Sequence, residues 1–179
     1  MLSVFVATVF QPQPQQATSS KVLHMPVLPQ FAFKKRLYQE AIAIIRRRME
    51  HSSAAMNNAQ QAANEEEKSS AGDKYETARA MSQLEKEMFA RQRAEHEKEL
   101  ASLLSVNIDK EYQEAVAGSL IDCGEQLFFI GAGLGRILFE EKSVYLLSLQ
   151  APLTRHLLGK KSGDQLIFLN KTYLVESIC

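Results

Sequence analysis

The clearest pattern in the chain is a repeat of mostly apolar residues at alternating steps of four and three between residues 34 and 66. No Pro or Gly interrupts this range. Such spacing is typical of the apolar stripe of a helix that packs along another helix as a coiled coil. We therefore predict one long helix. Its seam consists of Tyr38, Ile42, Ile45, Met49, Ser52, Met56, Ala59 and Ala63.

A second long helix is predicted after the turn-forming run Ser69-Ser70-Ala71-Gly72, because residues 74–105 again lack Pro and Gly. Two helices of roughly 33 residues, folded back on each other, form an antiparallel hairpin about 50 Å long. The polar residues Arg91 and Glu95 fall on the same stripe as the apolar positions of the second helix. Those apolar positions are Thr77, Met81, Leu84 and Met88.

Beyond residue 105 the pattern changes to short apolar runs that Gly- or Pro-containing segments separate. Runs rich in Ile, Leu, Val, Phe and Tyr are typical of strands, and we expect a small antiparallel sheet. Residues 151–159 carry Pro near the start and Gly at the end, which predicts one short helix. The predicted strands are residues 118–123, 126–130, 143–149, 165–169 and 172–178.

The fold class predicted from these patterns is α+β. Residues 34–105 form the helical hairpin with its tip at 69–76, and residues 106–179 form the sheet domain. Residues 1–33 mix a short apolar run with Gln-Pro repeats that neither cap a helix nor alternate like a strand. We predict a flexible tail there.

The charge balance limits the function. Lys+Arg and Asp+Glu both number 21, which argues against a protein that binds bare nucleic acid through bulk electrostatics. Cys123 and Cys179 lack the spacing of a zinc site, and we expect both to be reduced and passive. No apolar run approaches the roughly 20 residues that cross a bilayer. We expect a cytoplasmic monomer.

The chemically suggestive segment is Gly72-Asp73-Lys74-Tyr75-Glu76, at the far end of the predicted arm. Carboxylates three residues apart on a helix point the same way. Magnesium is usually held by one or two carboxylates together with phosphates, so Asp73 and Glu76 form a candidate half-site for a metal shared with a partner. The same spacing is also a capping box, in which Asp73 caps the helix and Glu76 reaches back. The two interpretations are compatible.

The order of motifs along the chain resembles the GreA/GreB family of bacterial transcript-cleavage factors. Residues 72–76 match the Gly-Asp-x-x-Glu of the family's hairpin tip. Further matches follow at Ser148-Leu149-Gln150-Ala151-Pro152-Leu153, Leu158-Gly159-Lys160 and Gly163-Asp164. The resemblance covers roughly Lys34 to Cys179. It departs at Thr77-Ala78-Arg79-Ala80, where the family usually has Asn-Ala-Glu-Tyr.

This resemblance implies an FKBP-like C-terminal domain and a hairpin that enters the secondary channel of RNA polymerase. It implies that Asp73 and Glu76 help the polymerase hold Mg²⁺ and stimulate cleavage of backtracked RNA during transcription elongation. The protein would then have no enzyme activity and no cofactor of its own. Candidate partner-binding residues are Arg155 and Lys160 on the sheet domain and Arg46, Arg47 and Arg48 on the hairpin, the latter against RNA or an acidic channel wall.

Two other functions stay open at this point. The departure after Glu76 suggests a regulator that binds polymerase without promoting cleavage. The polar Arg91 and Glu95 on the predicted seam suggest an adaptor whose hairpin pairs with another helix.

Overall fold

A computed structural model describes residues 27–66 and 72–179, with side chains for residues 30–64 and 76–179. Residues 1–26, most of the predicted tail, and residues 69–71 of the predicted tip lie outside the described residues. The described architecture is α+β, as predicted. A long helical hairpin precedes a small sheet domain that carries one short helix.

The hairpin consists of α1 (Val27–Glu66) and α2 (Gly72–Leu104), which pack along each other. α1 begins seven residues before the predicted boundary at residue 34, because its first turns are anchored to the sheet domain. Phe33 is buried, and its ring meets the ring of Phe139 edge-on at 5.3 Å. The Gln30 amide donates a hydrogen bond to Ser177 Oγ at 2.8 Å. Residues 27–33 are therefore helix, and the tail prediction is wrong for them.

The predicted seam of α1 is confirmed, since each of its eight residues is buried or half-buried. Tyr38, Ile42 and Ile45 belong to the core at the base of the hairpin. Towards the tip the seam narrows to small side chains, with Ser52 and Ala59 both buried. Small residues let the two helices approach closely there.

The predicted seam of α2 is wrong by one residue. Met81 and Leu84 are each 61% exposed, and Met88 is 46% exposed. The half-buried positions are instead Ala78 and Ser82, each one residue later, a rotation of about 100° around the helix. The same shifted spacing continues through Phe89, His96, Leu100 and Leu103.

The physical reason for this shift lies at the base of the hairpin. Leu103 is fully buried and Leu100 packs against the same core, so the rotation of the continuous helix is fixed at that end. Near the tip, Lys86 donates from Nζ to Gln60 Oε1 at 2.6 Å across the two helices. Arg91 and Glu95 are exposed and do not interrupt the true seam.

The main sheet has five strands in the order β3-β4-β2-β1-β7, and a separate two-stranded sheet pairs β5 with β6. The sheet is mixed and not wholly antiparallel as predicted, because β2 and β4 run parallel. One strand, β3, was not predicted; it lies at the edge of the sheet and its side chains are mostly exposed. The elements are β1 (Leu120–Asp122), β2 (Leu127–Ile130), β3 (Gly135–Phe139), β4 (Lys142–Leu147), α3 (Pro152–Leu157), β5 (Gln165–Phe168), β6 (Lys171–Leu174) and β7 (Ser177–Ile178).

Alternation along the central strands gives the sheet two buried faces. In β2, Phe129 faces the base of the hairpin and Phe128 faces the opposite core. That second core is completed by Leu157 of α3 and Leu166 of β5. The sheet is therefore the middle of three layers, with the hairpin base on one side and α3 with β5-β6 on the other.

Three consecutive basic residues attach α1 to the sheet domain. Lys34 is fully buried; its Nζ donates to the Lys110 carbonyl oxygen at 2.7 Å and lies about 5 Å from the rings of Phe31 and Tyr112. Lys35 pairs with Asp109 at 2.7 Å. Arg36 forms two hydrogen bonds to Glu140, at 2.6 and 2.9 Å. These three side chains fasten the arm and are not a free basic surface.

No helix in the described part of the chain combines the length and apolar character that a membrane crossing needs.

The buried ammonium of Lys34 predicts a particular pH dependence of stability. Burial lowers the pKa of Lys34 below its ordinary 10.5. Between the lowered pKa and 10.5 the unfolded chain binds more protons at this site, so the site's contribution to stability rises with pH. We expect the free energy of unfolding of wild type to rise relative to that of Lys34→Met as pH is raised between the lowered pKa of Lys34 and 10.5. The relative rise is about 1.4 kcal/mol for each pH unit of that window. Urea unfolding of both proteins measures this difference; parallel pH profiles would contradict it.

Candidate functional site

The predicted acidic pair lies at the start of the second arm of the hairpin. α2 begins at Gly72, so Asp73 and Glu76 both belong to its first turns. Carboxylates are favoured there because the unpaired amides of a helix N-terminus carry partial positive charge. The Asp73 side chain lies outside the described side chains. Its predicted convergence with Glu76 therefore rests on helical spacing alone.

Glu76 is exposed on the side of the hairpin near its tip. It lines a shallow groove between the two helices together with Gln60, Asn64, Arg79 and Gln83. Within the described residues, neither Glu76 nor Arg79 forms an ion pair, although they are three residues apart on one helix. The Glu76 carboxylate is thus open to a ligand that approaches from outside.

No group of three or more His, Cys, Asp or Glu side chains in the described parts of the chain is arranged to hold a metal ion. Mg²⁺ prefers six oxygen ligands in an octahedron. Asp73 and Glu76 can supply at most a fraction of that shell. A metal ion at the tip would need its remaining ligands from a partner, from phosphate or from water.

The basic candidates on the hairpin are exposed but far from the tip. Arg47 pairs with Glu40 at 2.8 Å, while Arg46 and Arg48 form no ion pair among the described residues. Arg48 lies 18 residues before Glu66, the last residue of α1, which is about 27 Å of helix. The structure therefore separates the basic cluster from the acidic pair instead of joining them in one site.

Arg47 and Arg48 line a groove between the helices that the sequence analysis did not identify. Its other polar members are His51 and Ser52 of α1 and Gln92 and His96 of α2. These residues come from opposite arms, so only the helix pairing brings them together. His96 Nδ1 is 3.2 Å from Glu99 Oε2.

Arg155 and Lys160 lie in the layer of the sheet domain opposite the hairpin. Arg155 is exposed in the last turn of α3. Lys160 is half-buried just after the helix, and its carbonyl oxygen accepts a hydrogen bond from the Ala115 amide at 2.8 Å. Arg155 is therefore available to a partner, whereas Lys160 also serves the local backbone.

The matched motifs around α3 have a local structural explanation. Gly159 and Gly163 adopt φ of +77° and +91°, a left-handed region that other residues rarely enter. Asp164 accepts a hydrogen bond from the Lys161 amide at 2.8 Å, which closes the turn before β5. These residues shape turns, so they carry no sign of a ligand site.

The two cysteines are unpaired thiols, as predicted. Burial raises the pKa of the Cys123 thiol to about 12, with a further contribution from the neighbouring carboxylates of Asp122 and Glu176. Burial also raises the pKa of Cys179. Cys179 belongs to the hairpin-side core and Cys123 packs against the opposite core, so the sheet separates them. Both thiols stay protonated at neutral pH.

No family model matches the chain, and no curated protein matches it. A solved structure titled "Structure of the transcription factor Gfh1" is similar to 76% of this chain and 92% of its own chain, at 16% identity and a TM-score of 0.33. A TM-score this low does not establish a shared fold.

The exposure of Glu76 predicts that its charge is dispensable for folding. We expect Glu76→Gln to change the free energy of unfolding by less than about 0.5 kcal/mol, as is usual for surface substitutions. Thermal and urea unfolding followed by circular dichroism measure this change. A loss of more than about 2 kcal/mol would mean that the carboxylate holds the hairpin together.

Proposed function

We propose that this protein is a Gre-like transcription elongation factor. In this proposal the hairpin enters the secondary channel of RNA polymerase, and Asp73 and Glu76 help the polymerase cleave backtracked RNA. The observation that carries the proposal is the exposed Glu76 in the first turns of the second arm of a hairpin whose helices are about 50 to 60 Å long. The Gly-Asp-x-x-Glu sequence at that position supports it.

The length of the arm supports a role at a distance from the sheet domain. The base of the hairpin covers one face of the sheet, and the contacts of Lys34, Lys35 and Arg36 hold it there. Among the described side chains, this core includes none of α1 beyond Met49 and none of α2 before Leu100, so the outer part of each helix extends past it. An arm held at its base in this way can carry its tip deep into a partner.

The chemistry assigned to the tip is assistance, with the polymerase supplying most of the site. Two carboxylates in free solution compete poorly for a hydrated Mg²⁺. Docking of the arm raises their effective concentration at the metal to the millimolar range or beyond. Asp73 and Glu76 would supply carboxylate oxygens to a Mg²⁺ ion held mainly by the polymerase. When bound there, Mg²⁺ would provide Lewis-acid activation of the phosphate and of water.

The proposal predicts loss of cleavage without loss of binding. Asp73→Asn and Glu76→Gln each remove a charge and keep the size of the side chain. We expect each to reduce RNA cleavage in purified backtracked complexes at least about tenfold, because metal-based charge stabilisation is worth several kcal/mol.

The matched control for this experiment is Glu50→Gln, an equally conservative change at an exposed shaft residue without an ion pair among the described residues. It should cleave like wild type. Polymerase affinity, measured in parallel, should be similar for all four proteins. Normal cleavage by both tip variants would overturn the metal role.

A second candidate is a regulator that occupies the same channel without promoting cleavage. The observation that favours it is Arg79, which lines the groove beside Glu76 where the resembling family usually has Glu. A guanidinium this close makes the potential around the carboxylate less negative, which weakens its attraction for Mg²⁺. In that case wild type should bind polymerase and leave cleavage unchanged, and Arg79→Glu should create stimulation.

A further inference from the structure

Three large apolar side chains stand exposed along one side of α2. Met81 and Leu84 are each 61% exposed and Met88 is 46% exposed. They are spaced by three and four residues, the spacing of a coiled-coil seam, yet the true seam with α1 lies about 100° away. We call Met81, Leu84 and Met88 the outer strip. Contiguous exposed apolar side chains of this kind mark interaction surfaces.

Acidic residues border the outer strip on both sides. In a seam formed by the strip, Glu85 and Glu87 occupy the two flanking positions that pair with charges of a partner helix. Glu85 is exposed and forms no ion pair among the described residues. The Glu87 carboxylate accepts a hydrogen bond from the side-chain amide of Gln83 at 3.1 Å. It also lies 4.0 Å from the Arg91 guanidinium, and an exposed ion pair at this distance is weak. Both carboxylates are available to a cation.

A second copy of the chain does not satisfy this surface. In an antiparallel pair, Glu85 would face Glu85 of the second copy and Glu87 would face Glu87, so like charges would meet. In a parallel pair the facing residues would be Ala80 and Gln92, and no cation would reach either carboxylate. Self-association therefore leaves the acidic borders repelled or unpaired.

The apolar N-terminal run Leu2–Phe10 is also a poor occupant, for reasons of length. The contact of Lys86 with Gln60 places the strip level with Gln60, which lies 33 residues beyond Val27, about 50 Å of helix. The 17 residues from Phe10 to Val27 reach about 56 Å only when fully extended. Reaching the strip would therefore need nearly the full contour length of this segment.

We propose that the outer strip docks an amphipathic helix of a partner protein whose apolar seam is bordered by Lys or Arg. The apolar contact covers on the order of a few hundred Å², so it is weak alone. Its contribution to binding becomes larger when other contacts already hold the arm in place, because the second contact is then intramolecular. The surface begins five residues after Glu76, so a partner that receives the tip also meets the strip.

The test uses two designed peptides, each about three heptads long, with Leu on the seam and either Lys or Glu at all flanking positions. Binding to the full-length protein is measured by fluorescence anisotropy. We expect the Lys peptide to bind at least about tenfold more tightly than the Glu peptide. The double variant Glu85→Lys with Glu87→Lys should reverse that preference.

Leu84→Ser should weaken binding of the Lys peptide by roughly tenfold or more, because it removes apolar area from the contact. Leu138→Ser is the matched control, since Leu138 is 77% exposed on β3, away from the strip. It should leave binding unchanged. Circular dichroism checks that every variant is folded.

Three results would overturn the proposal. The first is equal binding of the Lys and Glu peptides. The second is a dimer in sedimentation experiments that Leu84→Ser abolishes, which would assign the strip to a second copy. The third is tighter peptide binding after Phe5→Ser with Phe10→Ser, which would assign it to the N-terminal run. The assay contains no polymerase, so its failure leaves the tip proposal standing, and the cleavage assay tests that proposal separately.

Discussion

Burial of one sheet face beneath the base of the hairpin is the interaction on which the rest of the structure depends. Leu37 and Ile45 of α1 and Leu103 of α2 share a core with Phe129 and Leu146 of the sheet. This core joins the two parts of the molecule into one unit, so the arm has a defined direction. It also fixes the rotation of each helix about its own axis. The rotation set at the base therefore determines the direction of every side chain farther along the arm.

The consequence is clearest on α2, where rotation decides which residues are functional candidates. With Leu100 and Leu103 held in the base core, the stripe that faces α1 carries Ala78 and Ser82 near the tip. Met81 and Leu84, the more apolar choice, are turned outwards at a cost in exposed apolar surface. The arm thus gives up some stability of its own while presenting the outer strip.

Sequence patterns predicted this architecture unevenly, and the failures have physical causes. The α1 seam was correct because its apolar residues are also its packed residues. The α2 seam was wrong because periodicity selects the most apolar stripe, whereas close helix approach favours small side chains such as Ala78 and Ser82. The parallel pairing of β2 with β4 depends on contacts between distant segments, which local alternation does not encode. The burial of Lys34 was not predictable, since nothing in the sequence shows the Lys110 carbonyl and the rings that enclose its ammonium group.

The position of the acidic pair along the chain was predictable from the sequence, but the residues that surround it were not. The turn-forming residues before Gly72 and the spacing of Asp73 and Glu76 predicted an acidic pair at the start of the second arm. The groove that Glu76 shares with Arg79 and Gln60 is formed by residues of both helices, so no sequence motif predicts it. The motif residues around α3 have a structural role, whereas the acidic residues at the tip are candidates for binding a ligand. Gly159 and Gly163 serve turns in which the backbone adopts positive φ.

The acidic tip and the outer strip lie at different positions along the arm. Glu76 lies in the first turns of α2, and the outer strip follows over the next three turns on an adjoining side of the same helix. A rigid helix cannot move one without the other, so docking of the strip would set both the depth and the rotation at which Glu76 is presented. Rotation matters because a metal ligand must be placed within a few tenths of an ångström of its ion. A long arm anchored only at its base cannot guarantee that accuracy, since small angular motions at the base are amplified over about 50 Å of helix. A weak contact close to the tip corrects this error where it is largest, which gives a physical reason for exposed apolar side chains beside an acidic tip.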